Sequence, residues 1–224
     1  MNSLQPFLGK VTQGDCIHVL RRFPDQCIDL VLTDPPYLVR YEDRDGRKIV
    51  NDDNPHWLFP AFAEIYRVLK PDRYCVSFYG WGRIEKFLLV WKELGLFPVG
   101  HFVFIKPYAS RTGHTRMCHE QAYLLAKGRP QPPAKPPPDV IGFEFSGNGL
   151  HPTQKPLTAL TPLIGAYSGP DDIVLDPFAG SGSTGIAARE SSRRFVLIEK
   201  DPAYARLAQE RLSGSRPPLS STQS

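Results

Sequence analysis

A chain of 224 residues is long enough for one well-buried domain and short for two. Its apolar and charged fractions, 41% and 22%, are ordinary for a soluble globular protein, and no apolar run approaches the ~20 residues that span a bilayer. The net charge of +4 permits a nucleic-acid partner without requiring one.

The first residues, Met1-Asn2-Ser3-Leu4-Gln5-Pro6, lack the basic and apolar regions of a signal peptide. Cys16, Cys27, Cys75 and Cys118 stand without C-x-x-C pairing. That usage fits a reducing, cytoplasmic compartment. Cys118-His119 would be half a metal site, but no second pair completes it, and no metal is expected. Residues 11–13 read as a short strand, followed by Gly14-Asp15 and a helix through Val19, Leu20 and Phe23. Asp15 stands at the strand-to-helix corner, where capping that helix accounts for it.

Residues 28–32 form an apolar run that reads as a buried strand. The chain continues Thr33-Asp34-Pro35-Pro36-Tyr37, and two prolines forbid both helix and ladder, so it leaves the strand in a rigid turn. The turn presents a carboxylate, a backbone carbonyl and an aromatic face. Two acceptors beside a stacking surface suit an exocyclic amino group on a flat heterocycle. Taken alone, this stretch is better explained as a plain proline turn at a strand end. Residues 38–54 are polar, crowded with both charge signs, and read as a mobile flap.

A helical period covers residues 56–69 and stops at Lys70-Pro71. Residues 74–79 read as a strand ending in Gly80-Trp81-Gly82, before a helix over 83–94. Strands over 99–105 and 120–126 have no helix between them and should pair antiparallel. The alternation elsewhere predicts α/β with a mostly parallel sheet. Residues 129–139 (RPQPPAKPPPD) are a polyproline spacer leading into the small, glycine-containing stretch 140–150. The pattern then gives a helix over 156–167, a strand over 173–175 and a helix over 184–190. A strand over 195–198 and a helix over 202–212 follow, the latter capped by Asp201. Residues 1–212 form the expected domain, and 213–224 a disordered tail.

After strand 173–175 comes Asp176-Pro177-Phe178-Ala179-Gly180-Ser181-Gly182-Ser183-Thr184-Gly185, a G-x-G-x-x-G set between a strand and a helix. About twenty residues on, Glu199 ends a strand, placed to hold the hydroxyls of a ribose. Strand, glycine turn, helix and spaced acid together imply a nucleoside-type cofactor. NAD is the rival ligand, but Asp176 beside the loop disfavours a pyrophosphate and suits a cationic ligand. S-adenosylmethionine, with its ammonium and sulfonium, has the right sign.

These motifs resemble those of the DNA amino-methyltransferases, the N6-adenine/N4-cytosine family. Asp34-Pro35-Pro36-Tyr37 resembles its catalytic motif and Asp176 to Gly185 its cofactor loop. His151-Pro152-Thr153-Gln154-Lys155-Pro156 resembles the start of the helix over the cofactor's methionine end. Catalytic motif first and cofactor loop last is the order of the permuted β class.

The resemblance implies a single-domain, Rossmann-like, S-adenosylmethionine-dependent fold. Its sheet would be mostly parallel and seven-stranded, with an antiparallel edge strand and a circularly permuted motif order. It implies strand 11–13 beside strand 195–198, strands 173–175 and 28–32 as central neighbours, and Asp34 and Asp176 on one crevice. Catalysis falls to Asp34, Pro35, Pro36 and Tyr37. Cofactor binding falls to Asp15, Asp34, Lys155, Asp176, Phe178, Ala179, Gly180, Ser181, Gly182, Thr184, Glu199 and Lys200.

The partner implied is double-stranded DNA; a homodimer and a restriction endonuclease partner stay open. Arg40, Lys106, Arg111 and Arg116 are candidates to meet phosphates, with Lys127, Arg129 and Lys135 nearby. The short stretch 128–150 lies where this class keeps its target-recognition region, the spacer projecting residues 140–150 from the crevice rim. The acidic first residue of D-P-P-Y goes with adenine in this family, which favours N6-adenine over N4-cytosine. Two other readings are a non-catalytic DNA- or cofactor-binding relic and an NAD oxidoreductase.

Overall fold

The computed structural model describes residues 3–39, 52–111, 114–143 and 155–214, excluding the side chains of residues 110 and 111. Strands are β1 (Val11–Gln13), β2 (Ile28–Thr33), β3 (Leu69–Phe78), β4 (Leu96–Arg111), β5 (Arg116–Lys127), β6 (Val140–Gly142), β7 (Ile173–Asp176) and β8 (Arg194–Glu199). Helices are α1 (Cys16–Leu20), α2 (Leu58–Val68), α3 (Ile84–Leu94), α4 (Leu157–Tyr167), α5 (Ser183–Glu190) and α6 (Pro202–Leu212).

The sheet runs β1-β8-β7-β2-β3-β5-β4-β6. Strand β5 is antiparallel to both neighbours, and the other pairings are parallel. The sheet thus has eight strands among the described residues, not seven. Its antiparallel member lies inside, between β3 and β4, not at an edge. The extra strand is β6, whose Val140, Ile141 and Gly142 pair with Val103, Phe104 and Ile105. The proline stretch therefore returns the chain to the far edge of the sheet and does not project residues 140–142 from it. Its prolines cannot enter the ladder themselves.

Apolar residues line both faces, as a sheet covered by helices requires. Strand β2 is buried along its length, and beyond a register irregularity between Ile28 and Leu30 its alternate residues serve opposite faces. Ile28 and Val31 join Phe62, Ile65, Phe87 and Trp91 of α2 and α3. Leu30 and Leu32 join Leu160, Leu163 and Ile164 of α4 with Ala187 and Ala188 of α5. Fully buried side chains such as Trp91, Phe62 and Leu30 each contribute roughly 1.5–3 kcal/mol.

Two buried charges tie the end of the sheet away from the glycine loop. Asp29 accepts from Lys70 Nζ at 2.7 Å and from the Ile173 amide at 3.0 Å, joining β2, β3 and β7. Lys127, a candidate for phosphate above, is instead buried and donates to the Tyr66 and Leu69 carbonyls, both at 2.6 Å. No helix among the described residues is long and apolar enough to cross a membrane.

Candidate active site

Parallel strands put their C-terminal ends on one rim of the sheet, and the two sequence motifs both sit there. Strands β2 and β7 are direct neighbours, with Leu30 and Val31 opposite Val174 and Leu175. Each leaves the sheet through an Asp-Pro pair, β2 before Asp34-Pro35 and β7 at Asp176-Pro177. The Thr33 hydroxyl, at the end of β2, donates to Asp176 Oδ1 at 3.2 Å. That bond joins the two motifs.

Asp176 also takes the Phe178 amide at 3.1 Å and the Thr184 hydroxyl at 2.7 Å. It is 3% exposed. Burial pushes its carboxyl up to about 7, against those hydrogen bonds and with the charge of Asp34 adding to the rise. Gly180 and Gly182 adopt φ of +50° and +81°, open to glycine without the steric penalty of a Cβ. A Cβ on Gly182 would stand 3.0 Å from Ala208 Cβ of α6, and one on Gly185 would stand 2.7 Å from Leu197 of β8. Both glycines serve the packing of helix against loop and sheet. Ser181 turns the same way, its carbonyl and hydroxyl accepting from Arg211 at 2.5 and 2.9 Å. Ala179 is buried, while the Phe178 ring stands half-buried against Trp57, centroids 5.2 Å apart.

Strand β1 lies beside β8 with Gln13 opposite Glu199, the neighbourhood expected. Glu199 accepts from the Gly180 amide at 2.7 Å and from the Asp201 amide at 2.8 Å. Burial raises its carboxyl, and those amides oppose the rise. Asp15 caps α1 through the Ile17 amide at 3.0 Å and takes Lys200 Nζ at 3.0 Å. Burial works against its ionisation, but Lys200 and that amide hold the carboxyl below its usual value.

The turn at Asp34 is tied to distant elements. Asp34 Oδ1 accepts from the Tyr37 hydroxyl at 2.7 Å, and Oδ2 from Lys155 Nζ at 2.5 Å. The resemblance assigned both Lys155 and Asp34 to the cofactor, and the structure pairs the two. Burial raises the Asp34 carboxyl, Lys155 pulls it back down, and Glu120 adds to the rise. Burial disfavours the Lys155 ammonium, yet the two carboxylates hold its pKa above the usual value. Tyr37 is pushed far up by burial and by Asp34 and Glu120, so its hydroxyl stays a donor.

Three residues of this site carried no signal in the motifs. Glu120, near the start of β5, has Oε2 3.3 Å from the Tyr37 hydroxyl. Gly80, just past β3, leaves room for Tyr37, since a Cβ there would stand 2.7 Å from Tyr37 Cβ. Leu38 is held at a φ of +61°, a conformation costing a non-glycine residue about 1–3 kcal/mol. Only the spatial pairing of β5 and β3 with the turn reveals the first two.

Of the candidates for phosphate, Lys106 is buried and points at Glu120, 3.8 Å away, so it belongs to the site and not to the surface. Arg116 is exposed. Ser110 pairs with Met117 and Arg111 with Arg116, so the stretch that carries these candidates is largely the continuation of a hairpin. Arg40 and most of the flap 38–54 lie outside the described residues, as do His151 to Gln154, residues 144–150 and most of the tail 213–224. The side chain of Arg111 does too.

Comparison with known proteins agrees with this layout. The N6/N4 DNA methylase family model matches residues 28–141 and 142–210. The protein YubD of Escherichia coli (strain K12) is 52% identical over 92% of this chain and 91% of its own length. The type II methyltransferase M.BglII of Bacillus subtilis is 26% identical over 92% of this chain and 69% of its own. The crystal structure of an M1.HpyAVI–SAM complex superposes with a TM-score of 0.75 at 25% identity, covering 91% of this chain and 98% of that one.

Proposed function

This chain belongs to the N6/N4 DNA methylase family, and from that membership we propose that it methylates the N6 amino group of adenine in DNA at specific sites, using S-adenosylmethionine. The observation that carries the reading is the Thr33–Asp176 bond, which sets an amino-group acceptor and a glycine loop side by side on one crevice. The donor set fits the cofactor. Asp176 suits a cationic ligand and disfavours a pyrophosphate, and Glu199 suits a ribose diol. Phe178, against Trp57, offers an apolar face. Lys200 and Asp15 would meet the adenine end.

When bound, S-adenosylmethionine supplies a methyl group on a sulfonium. The protein's task is to make a poor nucleophile attack it. An adenine amino lone pair is delocalised into the ring. Hydrogen bonds from the amino group to Asp34 and the Pro35 carbonyl localise that pair and aim it at the methyl. The nitrogen would take the methyl carbon as the sulfonium becomes a neutral thioether, and the proton given up by the amino group would pass to the Asp34 carboxylate to which it donates. Positioning and electrostatics supply most of the effect. The base must first leave the duplex at a cost of a few kcal/mol, and stacking on the Tyr37 ring offsets part of it, at ~1–3 kcal/mol per base. Arg116 and the β4–β5 hairpin would meet phosphates, with Arg40 and Arg111 as further candidates. The motif order is that of the permuted β class.

The test is transfer of isotope-labelled methyl groups to unmethylated DNA, followed by digestion and mass spectrometry. N6-methyladenine is expected. N4-methylcytosine alone would overturn the base assignment and leave the reaction class standing; no transfer would overturn both.

A further inference from the structure

The chain leaves β3 through Gly80-Trp81-Gly82. Thr33 of β2 lies opposite Ser77 of β3, so this turn and Asp34-Pro35-Pro36-Tyr37 leave the sheet side by side on one rim. Gly80 lies directly against the Tyr37 side chain. Trp81 follows it, its Cα about 3.8 Å further along the chain.

The chain has three tryptophans, and two belong to the core. Trp57 and Trp91 are 6% and 0% exposed, edge-on to Phe178 and Phe62 respectively. Trp81 is 59% exposed, and its ring meets no other ring among the described residues. The turn itself does not need the indole. It is closed by the Arg83 amide donating to the Gly80 carbonyl at 3.1 Å, a bond between backbone groups. Gly82 is a second, separate sign. Its φ is not positive, and a Cβ there would meet nothing within 4 Å. Nothing inside the protein therefore requires bare backbone at this position, whereas close approach of a ligand from outside would. Arg83 adds an exposed cation to the same turn.

We propose that Trp81 is a DNA-binding residue whose indole stacks on a base of the duplex beside the extruded target. This rests on the DNA methyltransferase reading above. The target amino group must come to Asp34, so DNA must approach this rim. Moving one base onto Tyr37 uncovers the faces of its neighbours in the duplex. A large flat side chain on the same rim covers such a face, as inserted side chains do at unstacked steps. Bare backbone at Gly82 leaves room for the neighbouring nucleotide, and Arg83 suits its phosphate. Every base has a π-face, so this contact adds affinity and favours extrusion without choosing the sequence.

The test uses Trp81→Ala and Trp81→Tyr in the full chain. The probe is a synthetic unmethylated duplex of the sequence that wild type is found to modify. Trp81→Ala should lower kcat/KM for this duplex by about tenfold or more, the scale of one lost base stack. Trp81→Tyr, which keeps a stacking ring, should recover it to within threefold. S-adenosylmethionine Kd and the denaturant midpoint should stay as in wild type. The salt dependence of duplex binding should keep its slope, because no phosphate contact is lost. Acrylamide quenching of wild-type fluorescence reports mainly on Trp81, the other two tryptophans being buried. The duplex with S-adenosylhomocysteine should reduce that quenching by half or more. A kcat/KM within twofold of wild type in Trp81→Ala overturns the proposal. So does a loss that Trp81→Tyr does not recover, or one accompanied by weaker cofactor binding or lower stability. Should Trp81→Ala fail to fold, unchanged quenching of wild type with duplex bound overturns it instead. Wild type that methylates no DNA overturns the underlying reading together with this one; active wild type with an unaffected Trp81→Ala overturns only this one.

Discussion

The two halves of the crevice are held together in different ways. In the cofactor half, each carboxylate takes at least one backbone amide. Asp176 takes Phe178 beside the Thr184 and Thr33 hydroxyls, Glu199 takes Gly180 and Asp201, and Asp15 takes Ile17 beside the Lys200 ammonium. In the amino-group half, Asp34, Glu120, Lys106 and Lys155 come from four separate stretches and meet as charged side chains. Backbone amides are fixed by the fold and cannot exchange partners. Lysine and tyrosine side chains can. The first half thus draws much of its geometry from fixed backbone donors, and the second from charged side chains that meet only in the folded chain.

The largest test of that contrast is Asp34→Ala. It should lower methyl transfer by at least ~10²-fold, the scale of a positioned acid–base group, while S-adenosylmethionine binding measured by calorimetry survives. Loss of cofactor binding in this variant would show that the halves are not separable. Near-normal turnover would remove Asp34 from the chemistry altogether.

This division also decides what could be read without a structure. Asp176, the glycines and Glu199 lie within one strand–turn–helix–strand unit, so spacing alone implied their common purpose. Asp34 was legible because two prolines and a tyrosine surround it. Glu120 was not, because nothing around it differs from any charged strand residue; its role comes from β5 lying antiparallel inside the sheet. The burial of Lys106 and Lys127 was not legible for the same reason. Sequence shows a lysine, while its burial and its partners depend on strand pairing. The fold class followed from the alternation of strands and helices. The eighth strand did not, since three residues after a proline run carry almost no periodicity.

A smaller effect should come from pH. In the absence of ligand, burial holds the Asp176 carboxyl at about 7 against a usual value of 3.8. It is therefore largely protonated under mildly acidic conditions and charged above neutrality. A cationic ligand beside it prefers the charged form. S-adenosylmethionine affinity should then rise with pH up to about 7 by as much as about tenfold per unit, and level off above. The sign for folding is opposite. The native state holds this proton more tightly than the unfolded chain, so this group's contribution to stability falls as pH rises from 3.8 through about 7. In Asp176→Asn the rise in affinity attributable to this carboxyl should vanish. An unchanged slope in that variant would place the titrating group elsewhere.

The smallest effect concerns Gly182, and it asks whether the cofactor half is shaped by its ligand or by its own packing. The glycine has a φ of +81°, and a Cβ there would meet Ala208 of α6 at 3.0 Å. Gly182→Ala should therefore destabilise the fold by about 1 kcal/mol from backbone strain, with a further increment from the contact. Ala208→Gly removes that contact but leaves the strain, and it carries its own cost of roughly 0.5–1 kcal/mol as a glycine within a helix. If the contact matters, the double variant should be more stable than the sum of the two singles by about 0.5 kcal/mol or more, the low end for touching residues. Denaturant unfolding of the four proteins measures that coupling, and calorimetry on the same samples measures cofactor affinity. Coupling without any loss of affinity beyond about threefold, under ~1 kcal/mol, would show that this glycine serves α6. Loss of affinity with unchanged stability would mean that its Cα faces the ligand, and the packing account of the glycine turn would have to be given up.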